Sequence, residues 1–232
     1  MAKKKLKRWA ELNSFSHVIQ PAFEDVFGKD YELKGKWHKE WFKNDNPIVL
    51  ELGCGKGEYT VNLALKYPDK NFIGIDIKGH RMWRGAREAK EKELLNAAFL
   101  RTRIEFIRSF FAPGEVDEIW ITFPDPQLKQ SRETKRLPGP WFLNLYRSFL
   151  KDNGIVHLKT DCRELYDYTL SIVKANSLEI ITSTTDLHND MPGNELLAIR
   201  TFYEEMFLKE NVPITYLSFR LPNEKIIKGI GQ

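Results

Sequence analysis

From Pro47 onward the chain alternates two kinds of apolar spacing. Short runs rich in β-branched or aromatic residues, bounded by glycine, proline or polar clusters, predict seven strands. They lie at about Ile48–Glu51, Phe72–Asp76, Ala98–Thr102, Glu118–Phe123, Ile155–Lys159, Leu178–Thr182 and Thr215–Arg220. Between most of them, apolar residues recur at helical spacing, at Glu58–Lys66, Arg81–Lys92, Pro140–Lys151, Arg163–Ala175 and, before the last strand, Ile199–Lys209. Strand then helix, repeated, predicts right-handed crossovers and an α/β fold with about seven strands, mostly parallel, and helices on both faces. The last strand follows a helix and a loop around Pro213, so an antiparallel placement near the sheet edge is expected for it. Residues 1–45 lack this rhythm. Trp9, Phe15, Phe23, Phe27, Trp37, Trp41 and Phe42 are scattered there among charges, which predicts an irregular basic and aromatic extension on a single domain covering residues 46–232.

Composition narrows the class. The chain has 232 residues, 42% hydrophobic and 29% charged, enough to bury a core without disulfides or structural metal. No run of about 18 apolar residues is present, and no apolar segment follows the lysines at the N-terminus, so neither a membrane span nor a secretory signal is expected. A cytoplasmic protein is the expectation. Cys54 and Cys162 are far apart with no metal-ligand spacing around them, so no metal is expected. Net charge is only +4, but the cations cluster, at Lys3, Lys4, Lys5, Lys7 and Arg8 and again at Lys129, Arg132, Lys135 and Arg136. Such clusters are solvated surfaces or phosphate contacts, and charge alone does not separate the two.

The chemistry-bearing segments all follow strands, where open α/β sheets bind their ligands. The first strand runs into Glu51-Leu52-Gly53-Cys54-Gly55-Lys56-Gly57-Glu58. Glycines at this place allow a tight turn and close approach to a ligand. The dinucleotide spacing G-x-G-x-x-G fails, because Glu58 stands where the third glycine belongs. The pattern E-x-G-x-G-x-G resembles the first motif of class I methyltransferases, in which the acidic residue helps anchor the methionine part of S-adenosyl-L-methionine. The second strand ends in Asp76, 25 positions after Glu51. A carboxylate there can accept from both ribose hydroxyls of an adenosine.

The fourth strand leads into Phe123-Pro124-Asp125-Pro126-Gln127-Leu128-Lys129, followed by the second basic cluster. With the glycine motif, Leu158-Lys159-Thr160-Asp161, Asp186-Leu187-His188 and Thr201-Phe202-Tyr203-Glu204, this loop is similar to the bacterial tRNA (guanine-N7-)-methyltransferase family. That family modifies position 46 of the tRNA variable loop. The resemblance spans nearly all of the regular part of the chain. It implies S-adenosyl-L-methionine as cofactor and tRNA as partner. It implies cofactor contacts for Glu51, Gly53, Gly55, Asp76 and Asp125, with Asp125 beside the reacting methyl group, and substrate contacts for Lys129, Asp161, Thr201, Tyr203 and Glu204. Family members usually read Asp-Pro-Trp-Pro-Lys-Lys-Arg-His after the fourth strand, where this chain has Asp125-Pro126-Gln127-Leu128-Lys129-Gln130-Ser131-Arg132, with fewer cations and no tryptophan. The usual acidic adenine contact after the third strand is replaced by Arg103, assigned to the cofactor pocket through its backbone.

Each motif has a plainer alternative. Asp161 precedes Arg163-Glu164-Leu165 and would cap a helix; Thr201 and Glu204 would form a capping box; Trp9 and Phe15 would pack on the core. A methyltransferase for a small molecule or another RNA atom, or a module that binds cofactor and RNA without turnover, also fits the glycine motif. Neither accounts jointly for Asp125, Asp161 and Thr201–Glu204. The sequence leaves monomer and homodimer open.

Overall fold

The computed structural model describes residues 2–194, 199 and 201–230, with the side chains of residues 2–5 and 203 outside the description. The chain forms two compact units, Met1–Ala112 and Pro113–Gln232.

In the first unit, β2 (Ile48–Leu52), β3 (Asn71–Ile75) and β4 (Ala97–Leu100) pair in parallel, joined by the crossover helices α3 (Glu58–Lys66) and α4 (Gly79–Glu91). Every residue of the three strands is buried. That explains why they read as continuous apolar runs: a strand covered on both faces has no solvent side to alternate toward. Gly74 shows how closely α3 lies on the sheet. A Cβ there would stand 2.7 Å from Thr60 Oγ1 and 3.1 Å from Cys54 Sγ.

Residues 1–45 hold more regular structure than the expected extension. They form α1 (Ala2–Leu12), β1 (Val18–Ile19), α2 (Phe23–Val26) and one π-helical turn at Trp37–Phe42. β1 pairs in parallel with β4 as an added strand. The His17 ring donates to Ala86 O at 2.7 Å. Trp37 is fully buried, donates from Nε1 to Phe110 O at 2.8 Å and stacks on Phe111 at 5.3 Å. β1 and α2 escape periodicity because a two-residue strand and a four-residue helix show no repeat, whereas α1 is long enough to show one, with Ala2, Leu6, Trp9 and Leu12 at helical spacing among its cations.

In the second unit, β5 (Val116–Thr122) is parallel to β6 (Leu150–Thr160). The last strand, β8 (Thr215–Leu221), lies antiparallel between β6 and β7 (Ile180–Thr184). The expected antiparallel strand is therefore one in from the end, with β7 outermost and alternating between half-buried and exposed positions up to the buried Thr184. Helix α5 (Pro140–Tyr146) stops short of the expected Lys151, because the chain turns at Arg147–Phe149 and Leu150 already enters β6. Helix α6 (Arg163–Ala175) matches its expected bounds, α7 spans Leu187–Asp190, and α8 begins at Phe202 and ends at Lys209. No helix among the described residues is long and apolar enough to cross a membrane. Among those residues no cluster of His, Cys, Asp or Glu could hold a metal ion.

Candidate active site

The glycine loop leaves β2 with three left-handed residues in five: Gly53 at φ 76°, Gly55 at 53° and Gly57 at 71°. Side chains are excluded from Gly57 by contact as well, since a Cβ there would lie 2.6 Å from the Phe99 ring and 3.2 Å from Gly85 Cα. Gly55 differs: a Cβ would meet nothing nearer than Gly53 O at 3.8 Å, so open space lies before it. Two carboxylates fix the loop. Glu51 is buried and accepts from Thr60 N at 2.8 Å and from the Thr60 hydroxyl, which satisfies an N–H of the first turn of α3 that has no helical partner. Asp76, half-buried at the end of β3, accepts from Gly55 N at 2.9 Å through one oxygen and from Lys78 N at 2.7 Å through the other. A carboxylate has about four acceptor sites, so Asp76 retains capacity for ribose hydroxyls after ordering the loop. An open cradle before Gly55, flanked by that carboxylate, fits the adenosyl and methionine groups of S-adenosyl-L-methionine. Cys54 is buried within the turn, and burial pushes its thiol well above the ordinary range, with Glu51 and Asp76 adding to the effect; it is an inert packing group. Arg103 is exposed at the start of a 3-10 turn, Ile104–Ser109, while Thr102 beside it is buried. A cavity of about 600 Å³ beside β1, bounded in part by Pro21, Tyr31 and Trp41, includes none of the motif residues.

In the second unit β5 delivers Phe123 and Gln127 in left-handed conformations, at φ 46° and 48°. The Pro124–Pro126 segment between them presents Asp125 to solvent. Its carboxylate accepts one long hydrogen bond, from Gln127 N at 3.2 Å. Lys129 is exposed and precedes the 3-10 turn Gln130–Lys135. The basic cluster divides into two kinds of cation. Arg136 donates to Gln127 O at 3.1 Å and to Leu128 O at 3.2 Å, and its guanidinium lies 4.2 Å from the centre of the Tyr168 ring. It holds the loop together. Lys129 and Lys135 make no ion pair among the described residues, and Arg132 reaches only Gln127 Oε1 at 3.4 Å.

Asp161 follows β6 and is half-buried, and this burial raises its carboxyl above the ordinary value. It does not cap α6. The cap position belongs to Cys162, whose N–H is taken by Thr160 Oγ1 at 3.1 Å, and the Asp161 carboxylate makes no hydrogen bond or ion pair to another described residue. Glu204 is the opposite case. Thr201 caps α8 by accepting from Glu204 N at 3.2 Å, as one half of the expected capping box. The Glu204 carboxylate, fully buried, turns instead to Lys159 Nζ at 2.8 Å and His188 Nε2 at 3.0 Å. Its second oxygen is buried without a hydrogen-bond partner among the described residues. Lys159 is also fully buried and donates to Ile199 O at 3.1 Å. Tyr203 belongs to α8, but its side chain lies outside the described residues.

Lys159 and His188 stand within the sequence motifs without an assigned role. A lysine inside an apolar strand needs a buried counter-charge, and that was the available signal. Thr60 and Arg136 carried none.

Comparison with known proteins bears on both halves. Residues 45–217 match a family described as "Putative methyltransferase". A relative in Christiangramia forsetii named tRNA (guanine-N(7)-)-methyltransferase is 52% identical over 221 residues, 95% of this chain and 99% of its own. One of the same name in Bacteroides thetaiotaomicron is 49% identical over 98% of this chain and 90% of its own. Among solved structures, the 16S rRNA methyltransferase KamB superposes with a TM-score of 0.61 at 14% identity, covering 79% of this chain and 92% of that one. A 16S rRNA (adenine(1408)-N(1))-methyltransferase from Catenulisporales acidiphilia, solved with cosubstrate S-adenosyl-L-methionine, gives 0.53 at 14% identity over 81% and 91%. These structures share the α/β fold read from the strand and helix pattern. Sequence identity of about half over nearly the full length places the protein more narrowly: the chain belongs to the tRNA (guanine-N(7)-)-methyltransferase family of S-adenosyl-L-methionine-dependent enzymes.

Proposed function

We propose that the protein methylates N7 of a guanine in tRNA, at position 46 of the variable loop, acting in the cytoplasm with residues 46–232 as its methyltransferase domain. The observation that carries this reading is the near end-to-end match to relatives bearing that name. Asp161, half-buried and bonded to no other described residue at the end of β6, supports it in the structure.

The cofactor supplies an electrophilic methyl group on its sulfonium. Guanine N7 carries an available lone pair, so no proton need leave the nucleophile and no general base is required. What the enzyme contributes is alignment and electrostatic stabilisation of the positive charge that moves onto the purine. Glu51, Gly53, Gly55 and Asp76 hold the cofactor, with the Arg103 backbone near the adenine. Asp161 accepts hydrogen bonds from the guanine N1–H and amino edge, and Asp125 stands beside the reacting methyl. Lys129, with Arg132 and Lys135, holds phosphates, contacts that position RNA without reading its sequence. Thr201 and Tyr203 meet the substrate at the start of α8, a segment that Glu204 anchors from below.

The test is methyl transfer from labelled cofactor to tRNA lacking 7-methylguanosine, with the product mapped by cleavage chemistry specific for that cation. Label at guanine 46 is expected; label at another nucleotide, or none, overturns the reading.

A further inference from the structure

Helix α1 lies on the first half of α4, and the contact gathers aromatic rings and cations rather than burying them. Trp83 of α4 is held between two guanidinium groups, Arg8 at 4.7 Å and Arg87 at 5.4 Å from its ring centre, and donates from Nε1 to Glu11 at 3.0 Å. Trp9, one residue along α1, is 39% exposed, with Arg101 at 4.7 Å from its ring centre. Arg101 follows β4 directly and donates from Nε to Ile77 O at 3.2 Å. This fixes it at the carboxyl ends of the parallel strands, beside the Ile77–Gly79 segment that opens α4.

The charges there are poorly compensated. Lys7, Arg8, Lys78 and Arg81 are all exposed and none forms an ion pair among the described residues. Further along α4, by contrast, Arg84 pairs with Glu58 at 3.2 Å, Arg87 with Glu91 at 2.7 Å and Lys92 with Glu88 at 3.1 Å. The Lys56 ammonium is pushed below its ordinary value, chiefly by desolvation, and repulsion from Arg84 and Arg81 opposes the pull of Glu58. Cations without ion pairs on neighbouring elements lose stability to mutual repulsion and regain it when a polyanion is bound.

We propose that Lys7, Arg8, Lys78, Arg81 and Arg101, with the exposed Trp9 beside Arg101, form a second RNA-docking surface on the first unit, in addition to the basic loop after Asp125. It takes phosphates on the cations and an unstacked base on the Trp9 ring. Spaced cations with an aromatic platform suit single-stranded or looped RNA, in which bases are free to stack. An anionic membrane is the competing polyanion; Leu12 on the apolar side of α1 is fully buried against the protein, which leaves Leu6 and Trp9 exposed there, less apolar surface than a helix lying in a membrane interface inserts. The proposal rests on the tRNA reading for the identity of the RNA.

The full-length protein is tested for binding to an unmodified tRNA transcript across a salt series, whether or not it turns over. Lys7→Ala/Lys78→Ala/Arg81→Ala should weaken binding about 10-fold or more and lower the slope of log affinity against log salt by about 2 to 3, at roughly 0.7–0.9 per phosphate contact. Its Kd for cofactor should not move. Trp9→Ala should weaken binding by at least about 5-fold, with Trp9→Phe restoring most of the loss. If the triple variant fails to fold, Arg81→Gln alone should lower the slope by about 0.7–0.9. Unchanged affinity and slope in folded variants overturn the proposal. So does a wild-type protein that binds phosphatidylglycerol vesicles through these residues while its tRNA affinity is indifferent to them. Absence of methyl transfer by the wild type, with the salt slopes behaving as stated, overturns the tRNA methyltransferase reading and leaves the RNA surface standing.

Discussion

The carboxylates of the first unit and those of the second differ in what they bond to. Glu51 and Asp76 spend their oxygens on the protein's own N–H groups, three backbone contacts and one hydroxyl between them. The glycine loop is thereby ordered before any ligand arrives. Among the described residues Asp125 has a single hydrogen bond, at 3.2 Å, and Asp161 has none to another residue. A cofactor common to many enzymes can be met by a cradle built in advance. A folded RNA is met by acceptors left open for it. Glu204 breaks the pattern in the second unit, since the resemblance assigns it to substrate while the structure buries it against Lys159 and His188.

The largest effect is therefore expected at Glu204. Glu204→Ala removes the described ion pair of the fully buried Lys159 ammonium, which costs about 3–5 kcal/mol. That corresponds to a fall in melting temperature of roughly 10 °C in a chain of this size, at 2–4 °C per kcal/mol. Thermal unfolding decides the matter. A variant with normal melting temperature and lost tRNA affinity would return Glu204 to the substrate and remove the exception.

Asp125→Ala should separate function from stability in the other direction. The residue is exposed and weakly bonded, so the fold and melting temperature should stay close to wild type, while loss of a charge beside the reacting centre costs about 10²–10³-fold in kcat. Single-turnover methyl transfer at saturating cofactor and tRNA measures it. Near-normal turnover would take Asp125 out of the chemistry.

What the sequence made legible follows this same division. Strands buried on both faces, such as β2 and β3, announce themselves as unbroken apolar runs, and E-x-G-x-G-x-G is readable because positive φ at Gly53, Gly55 and Gly57 restricts the residue type. The loop after β5 was found by resemblance, yet its cations could not be sorted: Arg136, tied to two loop carbonyls, and Lys129, tied to nothing described, look alike in one dimension. The first 45 residues were underestimated for a related reason. Trp37 packs against Phe110 and Phe111, some 70 positions away, and no local periodicity encodes such a contact.

Asp161→Asn tests the open acceptor with both signs in view. Burial raises this carboxyl, so the folded chain holds its proton at higher pH than the unfolded chain does. The ionised form consequently costs stability above the folded-state pKa, and the cost vanishes as pH falls below the unfolded value. Asn should raise the melting temperature slightly at neutral pH, by at most about 2–4 °C given half-exposure to water, and the gain should disappear in acid. Turnover should fall about 10- to 100-fold, as expected for one charge-assisted hydrogen bond. In the wild type, the acid limb of kcat/KM should begin at higher pH than an ordinary aspartate would give. A variant that is less stable at neutral pH would mean that Asp161 has a structural partner and is not an open acceptor.

The smallest effect is expected at Lys129, and its value lies in comparison with Arg136. Both are cations of one loop, and a purely electrostatic account predicts equal losses when either becomes alanine. The structure predicts a difference. Lys129→Ala removes one exposed charge, so tRNA affinity should weaken about 3- to 10-fold and the salt slope should drop by about 0.7–0.9. Cofactor affinity and melting temperature should hold. Arg136→Ala releases Gln127 O and Leu128 O as well as the face of Tyr168. Its loss should therefore include kcat, because the turn that presents Asp125 is no longer fixed, and high salt should not equalise it with wild type. Matching salt slopes together with unchanged kcat in both variants would show the loop to be a uniform charge cloud, and the distinction between holding the loop and holding the RNA would fall.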